Sequence, residues 1–577
     1  MRADLDVQPP PAHVQVARKE KHLSEDERDS MSYDTLKNYW AGSANVVSKV
    51  AKSDSSTKVT AITPANKFQS WFSEFSRKIK WRARWLLPNL IFAKSKIDLE
   101  FYKKLDVESN LESRAPETEE LRVQIVWGAE VYGPSETDNL YENLTRLGWT
   151  AGMGSQKAGG AATWVRGQRS YGQGGWYNVG VVSSPSDRHK YIFPTNELRM
   201  PEKVEYLIVQ IFQLTPALTC VVIGFVLKED LRVIYDSALR ENRVGCFERC
   251  SRKSILRVSP EELKRRSIIK SREIVRRVAQ TWFQSNLPGY FCNSDIHRLP
   301  TAELITTTTD PLLPGEYAGF TGDKCWKDVV VSSSSNDIWS SSDGKGIRFV
   351  NNRNRLKDEP LHLVVSLCKS NVSDEEIRGR GEKNNSAFIS YSADQMAGVI
   401  SSFASIVFLT EALKDLRLSR ASLKIHKVKR SKGLHALEKI QAFFDRSLGT
   451  PVIAKELLSR SEHAGGFIRE CGAFTTPGWL RDDARRTVAK ELCAHTNSLA
   501  SQVIIEEHSL REHLEQLSSI ISVRESVKAQ RRVGILTFFT LLVAVASMVI
   551  AATQNTAWVD ELLVFVTNLF DIVMPEK

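Results

Sequence analysis

The chain has 577 residues, 42% of them hydrophobic and 25% charged, and carries a net charge of +11. That composition excludes a wholly disordered or collagen-like chain and allows roughly two to four folded domains at about 150 residues each. The eight cysteines are scattered, and only Cys246 and Cys250 lie close together, with no second pair at metal-binding spacing; this excludes a disulfide-stapled scaffold and suits reduced thiols in a cytosolic body.

Residues 1–65 are rich in Pro, Ser, Lys and Asp and poor in large apolar groups, the composition of a disordered segment. Their polarity excludes a secretory signal, so targeting is expected from elsewhere in the chain. Residues 66–120 open with KFQSWFSEFSRKIKWRARWLLPNLIF, in which Trp71, Phe72, Phe75, Trp81 and Trp85 alternate with Arg77, Lys78, Lys80, Arg82 and Arg84. That mixture predicts an amphipathic helix, packed on its own domain or lying among lipid headgroups.

Residues 121–370 read as an α+β domain. Leu121–Trp127 alternates as a strand, and Ser135–Trp149 follows as a helix started by Ser135 or Thr137. Glu130, Glu136, Asp138 and Glu142 then form an acidic group at a solvated helix start, where the helix dipole favours negative charge. The glycine-rich stretch from Gly152 to Gly180 reads as a surface loop, with a ligand loop using Arg166 and Arg169 as the alternative. GMGSQKAGG misses the spacing of a phosphate-binding loop. Val204–Leu227 carries no charge from Tyr206 onward and rivals a membrane span. Its Val and Ile density and the turn-like Thr215–Ala217 point to two buried strands instead. Ser259-Pro260-Glu261-Glu262 starts a helix reaching about Ser285, with a densely basic side (Lys264, Arg265, Arg266, Lys270, Arg272, Arg276, Arg277). Leu361–Cys368 is a further strand.

Residues 371–385 form a polar linker, and 386–532 a helical domain. Met396–Leu409 is apolar but too short for a span, which makes it a core helix. Trp479–Val533 lacks Gly and Pro throughout, and Leu499, Val503, Leu510, Leu514, Leu517 and Ile521 recur as a partly filled heptad, the pattern of a coiled-coil stalk. Residues 533–552, VGILTFFTLLVAVASMVIAA, contain no charge and meet the roughly 20-residue requirement for crossing a bilayer. Helix running unbroken through stalk and span would make a rod of about 110 Å. Arg524, Lys528, Arg531 and Arg532 precede the span, while Asp560, Glu561 and Asp571 follow it. The positive-inside rule therefore puts the bulk of the chain in the cytoplasm, with a bacterial inner membrane as the expected host. Residues 553–577 are a short apolar segment and a possible second span.

Within the span, Gly534, Thr537, Thr540, Ala544, Ser547 and Ala551 recur at steps of three and four. Small residues on one side allow close helix packing, and the three hydroxyls would equally line a pore; both readings require a homo-oligomer. His508, Glu512, His513 and Glu506 have an i, i+4 pattern but suit an exposed helix face. No catalytic, cofactor-binding or metal-ligating set is recognisable. The positive charge favours anionic lipid as partner, and nucleic acid is disfavoured because no aromatic residues are interleaved with the basic stretches at Lys264–Arg277 and Lys424–Lys432.

An α+β domain, a long helix feeding a span and a short C-terminal hairpin resemble the CorA-like magnesium transporter superfamily, over the architecture from about Met396 onward. The resemblance implies an oligomeric ion channel or transporter. Gln554-Asn555-Thr556 stands where the family carries Gly-Met-Asn, and no Gly-Met-Asn follows, so no selectivity residue carries over. The sequence thus predicts an α+β cytoplasmic domain followed by an all-α stalk with a long helix running into a C-terminal transmembrane helix. Its expected role is a non-enzymatic, oligomeric membrane protein whose cytoplasmic domain senses a ligand or partner. The alternatives are ion transport and a membrane-tethered enzyme.

Overall fold

The computed structural model describes residues 96–149, 160–172, 174–190, 196–249, 255–294, 297–313, 338–341, 344–351, 361–378, 384–422, 449–463, 465–476 and 486–553, with a few single residues beside them. The expectations for residues 1–65, Lys67–Phe92, Lys424–Lys432 and most of 554–577 lie outside this set. Leu87–Lys577 forms one compact unit.

Ten strands make a single mixed sheet in the order β12-β9-β10-β11-β8-β1-β5-β4-β2-β3. At its centre lie β1 (Arg122–Tyr132), β4 (Val204–Thr215), β5 (Leu218–Leu227) and β8 (Thr301–Thr307). β2 (Gly175–Ser183) and β3 (Asn196–Glu197) form one edge. β9 (Ile338–Ser341), β10 (Ile347–Asn351), β11 (His362–Cys368) and β12 (Phe474–Thr475) form the other. β8 and β11 run parallel, as do β2 and β3, and the remaining neighbours are antiparallel. The charge-free stretch 204–227 is the antiparallel hairpin β4–β5, turning at the predicted Thr215–Ala217, and not a membrane span. A two-stranded ribbon, β6 (Cys246–Arg249) with β7 (Ile255–Val258), stands apart from the sheet.

β5 is buried at every position and β1 at all but the first, which requires cover on both faces. Two helices pack across these strands: α5 (Pro260–Asn286) and α6 (Asn385–Ser422). α5 starts as its sequence demands, with Ser259 Oγ accepting from Glu262 N at 3.3 Å and Pro260 in the first turn. α6 is apolar and long enough to cross a membrane, yet most of it is buried against the sheet and neighbouring helices, as expected of a core helix. One hydrophobic core runs from Ala115 to Leu514, and residues on both sides of 371–385 contribute to it.

Smaller helices fill the rim: α1 (Lys96–Glu112), α2 (Thr137–Leu147), α3 (Gly160–Tyr171), α4 (Ile234–Arg240), α7 (Thr450–His463) and α8 (Gly465–Cys471). α3 and β2 correct the reading of Gly152–Gly180 as a loop, since residues 160–171 and 175–183 are regular and bury Val165, Tyr177 and Val179. The basic side of α5 is not a continuous solvated face. Lys264 and Arg272 are buried; Lys264 Nζ donates to Asn110 O at 3.3 Å, closing the end of α1, and Arg266 is paired with Glu248 and Glu262.

The last described element is α9 (Val488–Thr553), 66 residues without a break and about 100 Å long. Its first half packs against α6, α7 and α8. Its second half is almost wholly exposed and is long and apolar enough to cross a membrane.

The packing of α5 on β1 depends on Gly128. A β-carbon there would sit 2.8 Å from Leu299 Cδ2, 2.9 Å from Phe283 Cε2 and 3.2 Å from Ala279 Cβ. Gly128→Val is therefore expected to overpack this contact and cost about 1–3 kcal/mol, read as a lowered denaturation midpoint. An unchanged midpoint would mean that α5 is not seated on the strand.

Candidate functional site: the junction between the body and the long helix

The root of α9 is held by a stripe of buried residues at steps of three and four: Leu492, Thr496, Ala500, Val503, Glu507, Leu510 and Leu514. Beyond Leu514 no described residue of α9 is buried. Leu499 and Leu517 also pack against the core of their own chain. Most of the predicted heptad seam is thus occupied within the chain, which corrects its reading as a coiled-coil face. Polar contacts reinforce the root on its α6 side, where Glu506 pairs with Arg420 at 2.9 Å and Arg417 at 3.6 Å.

A second set of contacts ties α7 and α8 to the tip of the β4–β5 hairpin. Arg460 of α7 donates through Nη1 to Leu214 O at 2.6 Å and through Nη2 to Glu470 Oε2 of α8 at 2.8 Å. The same Glu470 oxygen accepts from Ser402 Oγ of α6 at 2.6 Å. Glu456 of α7 accepts from Ala217 N at 2.8 Å. On the other side of the turn, Arg169 of α3 donates to Thr219 Oγ1 at 2.9 Å and Ala217 O at 3.0 Å. The hairpin tip is therefore gripped by side chains of α7 and α3, with Glu470 of α8 bracing Arg460 from behind, and α7 and α8 both pack directly on α9. Arg169 belongs to this grip and not to a ligand loop.

Two buried acids sit deeper. Glu130 was expected among solvated carboxylates; instead it lies inside β1, fully buried, and accepts from the backbone N–H groups of Val131, Phe291 and Cys292 at 2.8–3.0 Å. Burial pushes its carboxyl up to about 7, against the lowering effect of those donors. Glu303 of β8 is the hub of a second cluster. Arg272 Nε donates to it at 2.8 Å and Tyr235 Oη at 2.6 Å, while His362 Nε2 lies 3.3 Å away and Thr301 Oγ1 is 2.8 Å from His362 Nδ1. Burial alone would raise the Glu303 pKa, but the charge and hydrogen bond of Arg272 outweigh it, and the carboxyl is held well below its ordinary range. Burial lowers His362 to about 4, leaving it neutral at neutral pH. The Glu303 cluster is buried throughout and the Glu130 carboxyl is fully buried, so both act as fastenings between elements.

The six small residues of the predicted span all lie on the free half of α9. At 100° per residue they fall within an arc of about 140°, with Gly534 at one edge and Ser547 at the other. Thr537, Thr540 and Ser547 donate to the carbonyls of Val533, Leu536 and Val543 at 2.8, 2.9 and 2.8 Å, so each hydroxyl is satisfied by its own helix. A β-carbon at Gly534 would meet nothing within 4 Å. His508 and Glu512 are exposed and pair with each other at 3.2 Å. Among the described residues no group of three His, Cys, Asp or Glu side chains is arranged to hold a metal ion. An open groove of about 520 Å³ lies between α5 and the turn before β4, edged by Arg199, Lys203 and Arg277.

Sequence reasoning missed the Arg460–Glu470–Ser402 set and the tie from Glu456 to the hairpin tip. Arg460 and Glu470 lie close in the chain, but their partners in α6 and at the hairpin tip are 68 or more residues away, and nothing in the spacing joins them. Glu130 was traceable, because it continues the apolar strand run that begins at Leu121.

Removing Glu470 would strand a guanidinium that is only 12% exposed. Glu470→Ala is expected to cost about 3 kcal/mol or more in urea unfolding, whereas Glu506→Ala, whose partners are half-exposed, should stay within about 1 kcal/mol. Equal losses would show that the buried triad does not anchor the junction. Comparison with protein-family models, with curated proteins and with solved structures finds no match to this chain.

Proposed function

We propose that this chain is a membrane-anchored, oligomeric and non-enzymatic protein whose α+β body senses a ligand or partner and passes its state to the membrane segment. The observation that carries the reading is the continuity of α9, one helix rooted in the core as far as Leu514 and free, apolar and of membrane-crossing length at its far end. A helix without Gly or Pro between Val488 and Val533 has no built-in hinge, so a shift at its root travels along it.

The cationic collar Arg524, Lys528, Arg531 and Arg532 supports a cytoplasm-facing body, in a bacterial inner membrane, with anionic lipid headgroups at the collar. The small-residue arc at Gly534, Thr537, Thr540, Ala544, Ser547 and Ala551 supports self-association of the spans. The packing of the seam at the root leaves this arc as the surface available to a second copy.

The arc also favours one second reading, an ion conduit of the CorA-like type lined by Thr537, Thr540 and Ser547. On that reading Thr540→Leu and Ser547→Leu should each abolish ion flux in liposomes; on the preferred reading, flux is absent from the parent protein.

The anchor is tested by alkaline washing of membranes carrying the full chain. It should stay in the pellet, and a truncation after Glu525 should be released. In mild detergent the intact chain should run as an oligomer. Release of the intact chain, or a strict monomer, would overturn the proposal.

A further inference from the structure

His297 lies in the loop between α5 and β8 and faces the last third of α6. Its Nε2 is 2.9 Å from Asp415 Oδ2 and 3.9 Å from Glu411 Oε2. Its imidazole stacks on Tyr290 with ring centroids 4.8 Å apart and planes 20° from parallel. Tyr290 Oη donates to Asp415 Oδ2 at 3.4 Å, and the Tyr290 ring packs edge-on against Phe408 of α6. Other charges near the group are Lys414, whose Nζ lies 3.6 Å from Glu411 Oε2, and Glu136, which acts on Tyr290 from the start of α2. The His297 side chain is 5% exposed, while Asp415 reaches solvent at 41%. Two carboxylates of α6 therefore converge on one buried imidazole of the body. One turn further along α6, Arg417 and Arg420 hold Glu506 of α9.

We propose that His297, Glu411 and Asp415 form a proton-operated latch, closed when the imidazole carries its proton and loosened when it does not, that sets how firmly α6 grips the body beside the root of α9. Burial by itself would disfavour the protonated ring, but the Asp415 carboxylate 2.9 Å away and the Glu411 charge outweigh it, and the net shift is upward from 6.5. The sign follows by linkage: the stabilisation is fully present below the ordinary histidine value and is lost as pH rises through the raised one. The loosened state keeps the Tyr290–Phe408 packing, so the latch changes the strength of the contact and not the fold. Relay of this change to the membrane rests on the sensing role proposed above; the latch itself does not.

The test is hydrogen exchange of the full-length protein in detergent, followed at the amides of residues 405–416 from pH 5.5 to 9 and divided by the intrinsic rate at each pH. Protection in the parent should fall by up to about tenfold per pH unit within a window above 6.5. His297→Gln should remove the pH dependence. Asp415→Asn, a half-exposed change that leaves the fold intact, should move the midpoint to lower pH. Protection that does not vary with pH in the parent, or an Asp415→Asn midpoint equal to the parent's, would overturn the latch. Alkali-resistant retention in membranes is read on the same variants. Retention without pH dependence sinks the latch alone, and pH dependence without retention sinks the anchor alone.

Discussion

The packing of the first seven or so turns of α9 against α6, α7 and α8 is the interaction on which the remaining architecture depends, because the same helix has a packed half and an exposed, apolar half long enough to cross a membrane. Near its root, the buried apolar residues follow one stripe and the rest of the surface is mostly polar or charged, as water on the outer side requires. Past Arg532 the helix is apolar on every side, which water does not favour and hydrocarbon does. Between these regimes, Arg524, Lys528, Arg531 and Arg532 mark the change. Without the stripe from Leu492 to Leu514, nothing would fix where along the rod the body sits.

The body answers that demand with stiffness. Its central strands are buried on both faces, and the polar groups left inside are spent as cross-links between elements distant in sequence. Glu303 joins a strand, the α5 helix and α4; Glu130 joins β1 to the turn after α5. Glu119 does the same near the surface, accepting from the backbone N–H groups of Thr308, Thr309 and Asp310. A buried charge bound in this way is costly to release, so these joints resist shearing of the layers. The junction around Arg460 and Glu470 extends the same device to the helices that carry α9.

Much of the fold was legible where local chemistry and burial agree. The hairpin at 204–227 announced itself by β-branched residues around Thr215-Pro216-Ala217, and α5 by its Ser-Pro-Glu-Glu start. The glycines between 160 and 180 misled, because composition suggested a loop while Val165, Tyr177 and Val179 supplied a buried face at helix and strand periods. The heptad was real as a pattern, yet a pattern does not say whose surface it meets; α6, α7 and α8 reach it first. Long-range contacts such as His297 with Asp415, or Arg460 with the Leu214 carbonyl, carry no local signature, since each joins chain segments distant in sequence that only the completed fold brings together.

The way Thr537, Thr540 and Ser547 are bonded has a bearing on how such a helix can change neighbours. Each hydroxyl proton is committed to a carbonyl one turn back, so the arc presents methyl groups and backbone to whatever lies beside it. Lipid tails and another helix are then nearly interchangeable companions, because neither arrival nor departure leaves a polar atom stranded in oil. If the helix crosses a bilayer as proposed, contacts made through that arc can accordingly be exchanged without moving it along its axis.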